Sequence, residues 1–202
     1  MAKVKLTKTA LKKERDSLKQ FQRFLPTLQL KKQQLQLEMR ECLNRIEFNE
    51  RRERESKARL SSWLALFGAE QDAFRAADLV KVDRIKTDVM NIAGVEVPHF
   101  QRVVFADIEY DLFSEDPWMD DAVAALRKIV ELRMEREVIR KQYDLIQTEL
   151  RVTTQRVNLF EKVKIPECKD NIRRIGIYLG DMDTSAVVRS KIAKNKLQET
   201  VA

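Results

Sequence analysis

From Leu18 to Phe67 apolar residues return at alternating steps of three and four, through Leu18, Phe21, Leu25, Leu28, Lys32, Leu35, Met39, Cys42, Ile46, Asn49, Glu53, Ser56, Leu60, Trp63 and Phe67. Only Lys32, Asn49, Glu53 and Ser56 interrupt the pattern. A second series runs Trp118, Ala122, Ala125, Ile129, Leu132, Arg136, Ile139, Tyr143, Ile146, Leu150, Thr153, Val157 and Phe160, with Arg136 and Thr153 as its polar members. A seven-residue repeat held over about six heptads, with charged residues beside it, specifies a coiled-coil seam rather than an ordinary amphipathic helix. Neither Thr27–Phe67 nor Trp118–Ile165 contains glycine or proline. At ~1.5 Å per residue these windows make helices roughly 60 and 70 Å long, far more than a compact core needs. The expected fold class is mainly α, a long antiparallel two-helix coiled coil with a small central β-hairpin region. The expected seam is Leu28, Leu35, Met39, Ile46 and Leu60 on the first helix, and Ile129, Ile139, Ile146, Leu150 and Val157 on the second.

The interruptions divide the chain, read as a single elongated domain over 1–202. Pro26 predicts helix 8–24, a kink, and helix 26–67 within an N-terminal helical arm 8–67. Asn49, Glu53 and Ser56 fall in the charged stretch "NERRERESK", where the two helices are expected to diverge or splay. Residues 80–113 turn to Val, Ile and Phe around Gly94 and Pro98, which predicts a β-hairpin turning near Ala93 and Gly94. A lone hairpin is unstable in water and has to lean on the helices. The order helix, hairpin, helix then places both termini at one end and the hairpin at the other. The second long helix, 117–165, has a start signal in "SEDPWMDD": Asp116 as cap, Pro117 at the first helical position, and Asp120 and Asp121 against the helix dipole. Pro166 is expected to end or bend it before a C-terminal helical segment, 167–198.

Charge and chemistry narrow the function. The chain of 202 residues is 44% hydrophobic and 35% charged, with a formal net charge of +7. Residues 1–40 hold eleven Lys/Arg against three acids, while 107–121 hold seven acids and no base. Basic clustering raises nucleic acid or an acidic membrane as a partner, but few aromatics interleave with the lysines, and a solvated helix face explains them better. Cys42 and Cys168 match no metal-ligand spacing and suggest no disulfide framework, so a reduced, cytoplasmic setting is expected. The N-terminus lacks the apolar core of a signal peptide, and the longest uncharged run, Leu60–Ala69, is too short to span a bilayer. His99 has no second ligand or base near it in sequence, and no phosphate-binding glycine loop occurs. Gly176 and Gly180 form a G-x-x-x-G, read as a tight soluble helix contact. No catalytic residue, cofactor or metal site is expected.

The C-terminal stretch "RVNLFEKVKIPECKDNIRRIGIYLGDMD", followed by "RSKIAKNK", resembles the signature of the family of V-type ATPase D subunits. Arg156, Val157, Asn158, Glu161, Ile165 and Pro166 match its R-V-N-x-x-E-x-x-x-I-P element, and Lys191, Lys194 and Lys196 its basic run. "LPTLQLKKQQL" and "NIAGVEVP" are similar to two further family segments, in the same order. The resemblance implies the central rotor stalk of a V-type ATPase or ATP synthase: a non-catalytic shaft in a cytoplasmic complex peripheral to the membrane. Its helical pair would enter the head of A and B subunits, with the F subunit alongside and the lower end seated on the C subunit, also called d, above the membrane rotor. Torque would pass between head and rotor during ATP hydrolysis or synthesis coupled to H+ or Na+ transport, with contact to the membrane only through the complex and none to nucleic acid. Two rivals share features with it, a prefoldin-like coiled-coil chaperone and a basic coiled-coil scaffold for nucleic acid or membrane.

Overall fold

The structure, a computed structural model, describes residues 5–67, 80–106 and 119–201, and the side chains of all of these except 62–67 and 198–201. Helix α1 spans Lys8–Phe67, strands β1 and β2 span Val82–Ile92 and Val95–Phe105, helix α2 spans Met119–Leu159, a π-helical turn spans Phe160–Lys164, and helix α3 spans Ile165–Val201. The expected cap at Asp116, Pro117 at the first helical position, the seam position Trp118 and the hairpin boundary at 113 lie outside the described residues, and the seam positions Trp63 and Phe67 fall where only the backbone is described. Two compact units form, Met1–Lys32 with Val152–Ala202, and Gln33–Arg151.

Thr7 caps α1, its hydroxyl accepting from the Ala10 N–H at 3.2 Å, which satisfies one of the donors a helix start leaves open. The helix continues through Pro26 without interruption, so the expected end at residue 24 is not found. Proline removes one i→i−4 bond, but Pro26 and Gln22 are both exposed, and water can take the carbonyl the proline leaves free.

In the unit Gln33–Arg151, α1 and α2 run antiparallel: contacts pair Glu53 with Arg133, Glu50 with Arg140 and Arg45 with Gln142. Leu35, Cys42, Ile139 and Ile146 are buried in one cluster, flanked by half-buried Met39, Ile46, Tyr143 and Leu150. Each fully buried Leu or Ile in such a seam contributes about 1.5–3 kcal/mol. The hairpin does not project from the end of the pair. Its tip joins the same cluster through Val97, Ile92 and Val95, and near its base the Arg127 guanidinium lies 5.5 Å over the Phe105 ring. It therefore lies along the helices, whose apolar cluster covers Val97 and its neighbours.

The hairpin turns on Ala93 and Gly94, with φ of 50° and 79°, a two-residue loop with both central residues in the left-handed region. Asn91 Oδ1 accepts from the Gly94 N–H at 2.9 Å and fixes the turn. Pro98 stands opposite Val89, and its carbonyl accepts from Gln142 on α2. In an antiparallel strand the N and C=O of one residue point the same way. Pro98 thus directs its missing donor away from β1, and no ladder bond is lost.

In the other unit, the Phe21 and Phe160 rings meet at 5.0 Å. Cys168, Val157 and Ile175 are buried. Gly176 and Gly180 are not buried, and a Cβ built on either meets nothing within 4 Å. The tight contact expected of this G-x-x-x-G is absent among the described residues, because the two glycines point away from the buried side marked by Cys168 and Ile175.

Pro166 neither stops the helix nor leaves it plain α. The Ile165 N–H bonds to the Phe160 carbonyl, five residues back, and helix follows at once from Ile165. A wide turn draws the carbonyls preceding the proline away from its ring, relieving the clash that breaks a normal helix. It also absorbs one residue of phase. Counting heptads on from Val157 and Phe160 predicts inward positions at 164, 167, 171 and 174, but the buried residues are Cys168 and Ile175.

Ile146 is 0% exposed and Lys141 is exposed. Ile146→Asp should lower unfolding free energy by about 4 kcal/mol, whereas Lys141→Ala stays within about 0.5 kcal/mol. Denaturant melts of both variants test this; equal losses would reject the seam placement.

Candidate functional site

The residues singled out from sequence fall in two places. Of the first seam series, Leu35 is buried, and Leu28, Met39, Ile46 and Leu60 are half-buried; of the second, Ile129, Ile139, Ile146 and Val157 are buried and Leu150 half-buried. The family-motif residues straddle the π-turn. Val157 is buried and Ile165 half-buried, while Arg156, Asn158, Glu161 and Pro166 are exposed, as are Lys191, Lys194 and Lys196 on α3. Nothing in the motif converges on a pocket. Its Ile165 and Pro166 sit at the exit of the wide turn, where the missing proline N–H and the five-residue bond of Ile165 belong to one local geometry.

Of the buried polar residues, Asn49, Glu53 and Gln142 lie in Gln33–Arg151 and Thr153 in the other unit; the stretch around Asn49 and Glu53 is where the sequence predicts splaying. The helices do not splay. Glu53 and Arg136, the charged members of the two seam series, meet directly. The Glu53 side chain is 5% exposed and Arg136 17%. Glu53 Oε1 accepts from Arg133 Nε at 2.8 Å and lies 2.6 Å from Lys57 Nζ, while Oε2 accepts from Arg136 Nη1. Burial alone would raise the Glu53 carboxyl, but hydrogen bonds from Arg133, Lys57 and Arg136 outweigh it and hold it down at about 2. The sequence displayed both charges as breaks in the apolar series; the missing information was the alignment that makes them partners.

Two turns along, buried Gln142 binds in both directions. Its Oε1 accepts from Arg45 Nη1 at 3.4 Å, and its Nε2 donates to the Pro98 carbonyl. One amide therefore ties α1, α2 and the hairpin. Asn49 is also buried, and its Nδ2 has no hydrogen-bond partner among the described residues.

None of this is reactive chemistry. Among the described residues no group of three or more His, Cys, Asp or Glu could hold a metal ion. His99 is exposed on β2, opposite Asp88. Burial raises the Cys42 thiol, and burial together with a hydrogen bond to Glu14 raises Cys168 to about 11, so neither is a nucleophilic thiolate at neutral pH. No helix among the described residues is long and apolar enough to cross a membrane.

Comparison with known proteins is consistent across the chain. Residues 10–195 match the family model described as the D subunit of ATP synthase. The D subunit of a V-type ATP synthase from Borreliella burgdorferi is 44% identical over 197 residues, covering 98% of this chain and 96% of the relative. Its counterpart from Chlamydia muridarum is 33% identical over 198 residues, covering 98% of each chain.

The carboxyl of Glu53 lies below its ordinary value near 4.5, so its stabilisation is complete above that value and lost as pH falls toward 2. Glu53→Gln should cost about 3 kcal/mol at neutral pH. The gap between wild type and variant should close between pH 5 and about 2 in pH-resolved melts; a constant gap would contradict the assignment. Asn49→Leu should act oppositely, raising unfolding free energy by about 1 kcal/mol, because it removes a buried donor that lacks a partner.

Proposed function

Because the chain belongs to the family of ATP synthase D subunits, we propose that it serves as the central rotor shaft of a V-type ATPase or ATP synthase, transmitting torque between the catalytic head and the membrane rotor. The observation that carries this reading is the family match over residues 10–195. The helical seam supports it physically. Torque passes along a helix pair only if neither helix unwinds, and a buried apolar seam supplies that resistance without any globular core. The outer faces of α1 and α2 carry many charged side chains with exposed apolar ones such as Leu30, Leu37 and Phe48 between them, a mixed surface on which surrounding subunits can seat.

In this role the chain is a non-catalytic component, and nucleotide hydrolysis and ion translocation belong to other subunits of the complex. The partners are the A and B subunits of the head, the F subunit beside the shaft, and the C (d) subunit between shaft and membrane ring, so that the chain is cytoplasmic and meets the membrane only through the complex. The coupled ion is H+ or Na+. The chaperone and nucleic-acid readings are not favoured, since neither accounts for a family match of this length.

Native mass spectrometry of the complex captured from the source cell through this chain should find it with a small F subunit and with A and B subunits. Recovery of none of them would refute the assignment.

A further inference from the structure

A heptad seam repeats along its own axis. Sliding one helix past the other by seven residues sets apolar positions against apolar positions again, so apolar periodicity selects which faces meet and leaves the choice among heptad alignments open. Within Gln33–Arg151 the charged seam positions resolve that choice. If α2 slips so that Glu53 faces Tyr143, Arg136 comes to face Leu60; if it slips the other way, Glu53 faces Ile129 and Arg136 faces Ile46. Either slip takes Arg136 away from the buried carboxylate and sets its half-buried guanidinium against apolar side chains; of the three cations that now hold the carboxylate, only Lys57 of its own helix stays with it. That penalty far exceeds the small net gain of making the pair.

We propose that the Glu53–Arg136 pair, with Arg133 and Lys57 completing the carboxylate's hydrogen bonds, is the register lock of the helix pair. It selects one heptad alignment and resists sliding when the helices are driven along each other. Both oxygens of Glu53 are engaged, and its three partners come from two helices, Lys57 from α1 and Arg133 and Arg136 from α2. The neighbouring Glu50–Arg140 pair, at 3.7 Å, is too exposed to act this way, since a slip leaves both of its charges hydrated. The hairpin braces the same stretch through Val97 and Gln142, but with apolar groups and a neutral amide, which leave no charge unpaired on sliding. Selection of register stands independently of the proposed function; the role under load rests on it.

The test uses the purified full-length chain with Cys42→Ala and Cys168→Ala, and spin labels at exposed positions through Ala58→Cys and Asp144→Cys. Pulsed electron resonance should give one narrow distance with Glu53 and Arg136 in place, and the same distance in Glu50→Ala. Glu53→Leu combined with Arg136→Met should add a second population displaced by roughly 10 Å, one heptad at ~1.5 Å per residue, with a melting temperature equal to or above that of the parent. A single undisplaced distance in that double variant overturns the lock, whatever its melting temperature. In the assembled complex the double variant should hydrolyse ATP with reduced ion transport per ATP. Full coupling beside a second distance would overturn the role under load, whereas failure of the unmodified chain to assemble would count against the proposed function and leave the register result standing.

Discussion

Everything else depends on one strip of α1 being kept dry by α2. A helix whose other faces are exposed has little reason to hold together in water over many turns, because propensity and exposed ion pairs together contribute only tenths of a kcal/mol per residue. The strip through Leu35, Cys42, Ile139 and Ile146 supplies the missing stabilisation, and the hairpin adds to it by laying Val97 on the same cluster. Helix, helix and hairpin are thus three layers of a single apolar contact.

Polar groups enter this contact at few points, and each has a physical consequence. Glu53 is held ionised by three cations although burial opposes it. Gln142 engages both ends of its amide, one with Arg45 and one with the hairpin backbone. Asn49 leaves a donor without a partner among the described residues. Pro166 shows a comparable accommodation in the backbone: the π-turn ahead of it absorbs the missing donor and shifts the inward face by one residue, to Cys168 and Ile175.

The perturbed groups of the described residues lie in the packed helix interfaces. Both described thiols are held protonated, the histidine stands exposed on a strand, and the buried Glu53 carboxylate is held by three cations across a helix interface. The family to which it belongs supplies the context in which a helix pair of this kind has work to do.

The long helices, their coiled-coil seam and the turn at Ala93–Gly94 were legible in the sequence, because heptad spacing, the scarcity of glycine and proline, and the glycine at the turn are local properties. The family was legible as well. What each interruption means was not. Pro26 lies on an exposed face and leaves the helix intact, Pro166 is accommodated by a wide turn, and the two glycines of the G-x-x-x-G face away from the buried side. The hairpin folds along the helices, and Glu53 and Arg136 meet. Each of these depends on which surface lies opposite a residue, and periodicity along one helix repeats with every heptad and says nothing of the alignment of two. Sequence determined the elements and the side of each that seeks burial; the tertiary structure alone decided the register, because only there do the two charges that a seven-residue slip would strand find each other.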